Sequence, residues 1–258
     1  MPKVTTEIQD NLLIVTINRP EARNAIDHET ASALVDAFEA FEADTALLVA
    51  VLTGAGGHFC AGADLKSIGN PQQSPVIKVD GYAPLGVSRM LLSKPVIAAV
   101  EGFAVAGGLE LALWCDLRVS AETATFGVYC RRWGVPLVDG GTIRLPRLIG
   151  HSHALDMILT GRGVVGPEAK QIGLANRLVP HGQALNAAIE LAQSLTMFPQ
   201  TCMRSDRLSS YEQWGQPLPA ALINETKRGL DVLASGETVR GAARFASGRG
   251  RHGSMTDL

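Results

Sequence analysis

What this sequence lacks narrows the field before anything it contains. Net charge is nearly absent: 23 Lys and Arg against 25 Asp and Glu leave −2, with an isoelectric point near 6.3. No global field therefore draws in nucleic acid or an anionic membrane, and any anion recognition has to be local. Cysteine is scarce as well. Cys60, Cys115, Cys130 and Cys202 are scattered without CxxC spacing, which argues against a disulfide framework or a zinc site. Reduced thiols suit a cytoplasmic protein. The N-terminal MPKVTTEIQDN has no apolar core of a secretory signal. Apolar residues dominate from Val96 to Leu117, but Glu101, Glu110 and three glycines interrupt them. An acid at the centre of a span costs roughly 2.5 to 3.5 kcal/mol on insertion scales, so no membrane segment is expected.

Several familiar site signatures are missing too. The loop Gly54 to Lys66, GAGGHFCAGADLK, has no Gly-Lys-Ser/Thr and so is no phosphate loop. Phe59 stands where a dinucleotide fingerprint requires its third glycine. No Gly-x-Ser-x-Gly elbow and no HExxH occur, and His151 and His153 are two apart rather than at the i, i+4 spacing of helical metal ligands. His58 and Cys60 could be imagined as a thiolate pair, but Cys60 is read as a buried inert thiol.

What is present is a chain of 258 residues, 46% hydrophobic and 19% charged, able to bury a full core as one large domain or a domain with an appendage. Val4 to Asn18 alternates around an Asp10-Asn11 turn and predicts a hairpin with Leu13, Val15 and Ile17 on one face. Asp27 is placed to cap a helix running through Ala43, whose Leu34, Val35, Phe38 and Phe41 recur at helical spacing. Leu47 to Thr53 and Val96 to Val100 are short β-branched runs that predict buried, parallel strands. Between them Ser67 to Ser93 is a Gly/Pro-punctuated loop with at most one clear helix, near Gly86 to Ser93, and is suited to wall a pocket. Leu117 to Ser120 predicts a strand, and the segment after Gly127 is again broken by Gly and Pro. Helices are expected at His151 to Thr160 and Pro167 to Ile172, and a strand at Leu174 to Val179. From Gln183 the pattern is helical, with breaks at Pro199 and at Gln213 to Pro219, and with helices at Leu218 to Ala234 and Glu237 to Phe245. The alternation predicts an α/β fold, divided into a core over 1–196 and a helical region over 197–258. Arg240, Arg244, Arg249, Arg251 and His252 make the C-terminus basic, read either as a solvated surface or as a contact to ligand phosphate or a neighbouring subunit.

The chemistry concentrates in Lys94 to Phe126, KPVIAAVEGFAVAGGLELALWCDLRVSAETATF. A buried strand ends in Gly102, Gly107 and Gly108, and a helix starts with Glu110 in its first turn. A carboxylate beside free N–H groups at a helix N-terminus is equipped to handle developing negative charge. The other reading of Glu110 is a first-turn acid pointing to solvent. In the Gly54 to Lys66 loop, the small residues Ala61-Gly62-Ala63 let a ligand carbonyl approach backbone N–H groups.

With HFCAGADLK and AVEGFAVAGGLELALWCDLRVSAETATFG both in view, the sequence resembles the crotonase family, also called the enoyl-CoA hydratase/isomerase family, from the INRPEARNAI segment to the C-terminal helices. The resemblance implies a spiral of ββα units with a C-terminal helical region that builds a trimer, commonly a dimer of trimers. It implies an acyl-CoA thioester substrate, with coenzyme A part of that substrate and no separate cofactor. The thioester oxygen would sit in an oxyanion hole formed by the N–H groups of Ala63 and Gly107, with Glu110 as the catalytic acid/base. Substrate contacts are implied for Ala22, Ala61, Asp64, Leu65, Lys66 and Cys130. The family's second glutamate, four residues after Phe126, is replaced by Cys130, a poor activator of water. Asp139 is the next acid, near the catalytic aspartate of some relatives, and its other reading is a cap of the following turn. A non-catalytic CoA-ester or RNA-binding relative, or an isomerase or hydrolase with another acyl substrate, is the alternative. Weak net charge and both Gly-rich motifs argue against RNA.

Overall fold

The structure, a computed structural model, describes residues 1–70 and 72–250. Pro71 and the basic Arg251 and His252 lie outside the described residues. Two compact units divide the chain, Met1–Ala192 and Gln193–Leu258.

In the first unit the hairpin β1 (Val4–Gln9) and β2 (Leu12–Ile17) forms as its alternation predicts, with Asp10 at φ 53° in the turn. Asp27 Oδ1 accepts the Thr30 N–H at 2.9 Å and starts α1 (His28–Ala43), which buries Leu34, Val35, Phe38 and Phe41. Then follow β3 (Val49–Gly54), β4 (Val96–Val100), β5 (Phe103–Val105) and α2 (Gly107–Trp114). After β6 (Leu117–Ala121) and β7 (Thr125–Gly127) come α3 (Gly141–Ile149) and α4 (His151–Thr160). The series continues through β8 (Gly163–Val165), α5 (Gly166–Gln171) and β9 (Arg177–Val179) to α6 (Ala184–Thr196).

The larger sheet runs β1-β2-β3-β4-β6-β9, parallel from β2 onward, with Val51 opposite Ile97 and Ile97 opposite Leu117. Its inner strands are covered on both faces, which is why they read as continuous apolar runs, whereas the edge strand β1 has no buried residue. The smaller sheet, β5-β7-β8, went unread in the sequence. Its strands have three residues each, too short for a period to show.

Other boundaries differ from expectation. Gly86 to Ser93 is not a helix; only a 3-10 turn at Val87–Arg89 forms there. The last strand is confined to Arg177–Val179, and α2 begins at Gly107, two residues before the leucine pattern does. α3 emerges from a segment whose Gly140-Gly141 pair and internal Pro146 read as broken chain.

In the second unit α7 (Gln200–Glu212), α8 (Leu218–Ala234) and α9 (Glu237–Ala246) follow one another, and Glu212 pairs with Arg228. Among the described residues no helix is long and apolar enough to cross a membrane.

Candidate active site

The loop after β3 is held against β5 as if it were a further strand. The Cys60 N–H donates to Phe103 O at 2.9 Å and the Val105 N–H to Cys60 O at 3.1 Å. This brings Ala61 to Ala63 beside the start of α2, and the approach is so close that only glycine fits. A Cβ at Gly62, where φ is +92°, would lie 2.7 Å from the Gly107 nitrogen, and one at Gly108 would overlap Cys60 O. Ala106, between β5 and α2, holds φ 54° and ψ −125° without being glycine. Such a conformation costs of order 1 to 3 kcal/mol and persists because the flanking strand and helix over-determine it. Neither the Ala63 N–H nor the Gly107 N–H donates to a protein acceptor among the described residues.

A cavity of about 230 Å³ opens at this junction, and Ala61, Ala63, Leu65, Gly107, Glu110, Cys130 and Asp139 all line it. Three of the residues put forward from sequence stand outside its lining. Ala22 lies in the 3-10 turn Pro20–Ala22, and Lys66 is exposed. The Asp64 carboxylate is occupied by Arg19, at 2.8 Å, and by the Lys66 N–H, at 3.1 Å, so it braces the loop.

Glu110 is 2% exposed, which settles its orientation against solvent. Its Oε1 accepts the Asp139 N–H at 2.9 Å and the Gly141 N–H at 2.8 Å, and its Oε2 takes no hydrogen bond among the described residues. Burial pushes its pKa up to about 7, with the Asp139 charge adding to the rise and the two N–H donors opposing it. Asp139 does not cap the turn that follows it, since the residue before α3 is Gly140 and no side chain caps that helix. Its Oδ1 instead accepts the Leu85 N–H at 3.0 Å and the Ser88 hydroxyl at 2.5 Å. Burial raises this carboxyl as well, against the pull of Ser88 and Leu85. At Cys130, buried in the 3-10 turn Tyr129–Trp133, burial and then the nearby Glu110 push the thiol up, so it stays protonated. Cys60 is fully buried and raised to about 12, an inert thiol.

Sequence reasoning missed Ser88, Gly141 and Arg144. Arg144 donates to Asp139 O at 2.9 Å and to Ser88 O at 2.6 Å, tying the two loops that flank Glu110. Only the Gly140-Gly141 pair carried a signal, as a place where bare backbone N–H groups are presented. The assembled parts, two unpaired N–H donors beside a carboxyl poised near neutrality in an apolar cavity, can hold a negative oxygen and move a proton next to it.

Comparison with known proteins agrees in fold and length. The chain is 37% identical to enoyl-CoA hydratase EchA19 of Mycobacterium tuberculosis over 252 residues, 96% of this chain and 95% of that one. It is 32% identical to 2,3-dehydroadipyl-CoA hydratase of Escherichia coli K12, covering 96% and 97%. The crystal structure of enoyl-CoA hydratase EchA1 from Mycobacterium marinum superposes with a TM-score of 0.91 at 38% identity, over 96% of this chain and 97% of the other. The family model for Enoyl-CoA hydratase/isomerase matches residues 7–247, nearly the whole length over which the two sheets and the cavity are built. By sequence and by fold alike, the chain belongs to the enoyl-CoA hydratase/isomerase family, the crotonases.

Proposed function

We propose that this chain processes an acyl-CoA thioester through an enolate whose oxygen is held by the N–H groups of Ala63 and Gly107. The observation that carries the reading is the Glu110 carboxyl: one oxygen is pinned by two backbone donors and the other is left to the cavity those N–H groups share. Two such donors supply roughly 3 to 4 kcal/mol each to a developing oxyanion. Glu110, with a pKa near 7, exchanges the proton with the substrate carbon or with water, where acid and base forms are both populated. Adding water also requires a group to take the water's proton. The Cys130 thiol is held protonated and does not serve. Asp139 lines the same cavity, and its Oδ2 takes no hydrogen bond among the described residues, which supports it as the second carboxyl of a hydration. A double-bond shift needs only Glu110, and the replacement of a carboxylate by Cys130 favours that second reading.

Following the loss of the conjugated thioester absorbance of trans-2-enoyl-CoAs, together with the shift of 3-enoyl-CoAs, tests both. Glu110→Gln should abolish either reaction, and Asp139→Asn should lower hydration while sparing the shift. A wild-type chain that turns over no member of either series sinks the proposal.

The same reading has coenzyme A enter only as part of the substrate, with no resident cofactor. It also places the enzyme in the cytoplasm, in fatty acid metabolism. Its four free thiols support a reducing compartment. We further infer a homotrimer or dimer of trimers built through the C-terminal helices. Leu218, Leu222, Leu230 and Leu233 form one stripe along α8 and are all exposed in the single chain. Sedimentation of the full chain as a monomer at micromolar concentration would contradict that assembly.

A further inference from the structure

We propose that Ser88 is a positioning residue for hydration: its hydroxyl pins one oxygen of Asp139 and so leaves the other to the cavity, where the proton of water is taken. The inference rests on Asp139 as the second carboxyl and adds the group that holds it in place.

The carboxylate of an aspartate swings about its last torsion unless donors fix one of its oxygens. Asp139 Oδ1 has two donors, the Leu85 N–H at 3.0 Å and the Ser88 hydroxyl at 2.5 Å. The first belongs to the main chain. The second is the only side-chain donor to this carboxyl among the described residues.

Both ends of the contact are held by the backbone. Ser88 is 1% exposed and sits in the 3-10 turn Val87–Arg89. Gly86 precedes that turn at φ +85°, so close to α1 that a Cβ there would lie 2.4 Å from Ala31 O. Arg144 then sets the spacing of the two main chains by donating to Ser88 O at 2.6 Å and to Asp139 O at 2.9 Å. Across that spacing the hydroxyl reaches the carboxyl. The same arrangement is found at Glu110, whose Oε1 takes two N–H donors while its Oε2 takes none among the described residues. Each acid lining the cavity thus anchors one oxygen and keeps the other for the reaction.

The hydroxyl also helps decide which acid holds the proton. Around Asp139 stand Glu110 on α2, Arg89 on the 3-10 turn, Arg144 on α3 and the Cys60 thiol of the loop after β3, while the neutral Cys130 lines the same cavity. Burial works against a charge on Asp139, and Ser88 is the foremost of the groups that support one, ahead of the Leu85 N–H and the two guanidiniums. Asp139 is thereby kept as the base and the proton is left to Glu110, the pattern of two carboxyls set apart by their surroundings.

Ser88→Ala removes the hydroxyl and leaves the backbone contacts, since Leu85 donates through its N–H and Arg144 meets carbonyls. In the full-length variant, hydration of crotonyl-CoA should fall at least about tenfold in kcat, with KM within about twofold of wild type. The acid limb of kcat/KM should move up by about one pH unit, because Asp139 loses a donor that favours its charged form. In an Asp139→Asn background, Ser88→Ala should cost less than about twofold more. A purely structural role predicts an unmoved acid limb and the same loss in both backgrounds, and either result overturns the proposal. So does wild-type kcat in Ser88→Ala where Asp139→Asn is impaired. Hydration indifferent to Asp139→Asn, or a wild type that hydrates no enoyl-CoA, removes the second-carboxyl reading and the role of Ser88 with it.

Discussion

Gly141 and Glu110 are in direct contact: the Gly141 N–H donates to Glu110 Oε1 at 2.8 Å, and a Cβ at position 141 would lie 2.9 Å from that same oxygen. The first residue of α3 thereby sets where the carboxyl in the first turn of α2 can point. The backbone at Gly141 is not in the left-handed region, so the requirement for glycine there is one of space rather than of φ.

Gly141→Ala should therefore leave the chain folded and displace the carboxyl. The added methyl meets Glu110 Oε1, Cγ and Cδ within 2.9 to 3.2 Å, in a site too tightly packed to yield freely. Overpacking of this kind costs about 1 to 3 kcal/mol of stability. Misplacing a proton-transfer group by a fraction of an ångström should cost at least tenfold in kcat, with KM for the CoA ester little changed. Steady-state kinetics beside a thermal melt separate the two effects. Wild-type kcat in the alanine variant would show that the Gly141 contact does not position Glu110.

The raised pKa of Glu110 makes a prediction of definite sign. Its folded value is about 7 against an ordinary 4.5, so the folded state holds this proton more tightly than the unfolded chain does. Stability linked to it is fully present below pH 4.5 and is lost as the pH rises through 7. The shift corresponds to about 3 kcal/mol. Glu110→Gln, which cannot ionise, should gain stability over the wild type at pH 8 and not at pH 4.5. Denaturant unfolding at the two values measures the gap, and equal gaps would mean that the carboxyl titrates normally. In the active enzyme an inflection near pH 7 should appear in kcat/KM.

These contacts mark where sequence reading reaches its limit. α1 was legible because Asp27 caps it and Leu34, Val35, Phe38 and Phe41 repeat at its period, and β3 and β4 were legible because strands covered on both faces are written as unbroken apolar runs. Glu110 stood out by its chemistry, an acid in an otherwise apolar helix. The partners that tune it did not. Gly141 acts through a backbone N–H, Arg144 through two carbonyls, and Ser88 through a hydroxyl that meets Asp139 from 51 residues away. None of these is a property of residue type or spacing. They depend on the three-residue strands of the second sheet and on a helix that starts at a glycine pair, both invisible to periodicity. At Gly86 to Ser93 only a 3-10 turn forms, ending where Met90 goes extended at ψ 134°.

Cys130→Glu tests which group supplies the second carboxyl. Adding water across a double bond takes a proton from water and gives one to the α-carbon, and a thiol held protonated by burial and by Glu110 contributes nothing to the first step. A well-placed general base is worth typically 10²- to 10⁴-fold, so hydration of crotonyl-CoA should rise at least tenfold in the variant if Cys130 is the limiting position. Trp133 is largely exposed and can move outward to admit the longer side chain, while Arg131, whose Nε donates to Ile158 O, keeps terminal N–H groups that can draw the new carboxylate aside. The opposing force is electrostatic, because a third acid would join Glu110 and Asp139 in one cavity and push all their pKa values up, which favours activity above neutral pH. Glu110→Gln should abolish hydration in both backgrounds. Asp139→Asn should impair the wild type and be partly rescued by Cys130→Glu if Asp139 is the natural second group. Hydration indifferent to Asp139→Asn and unimproved by Cys130→Glu would show that neither position handles the water, and the two-carboxyl geometry proposed for this cavity would fall.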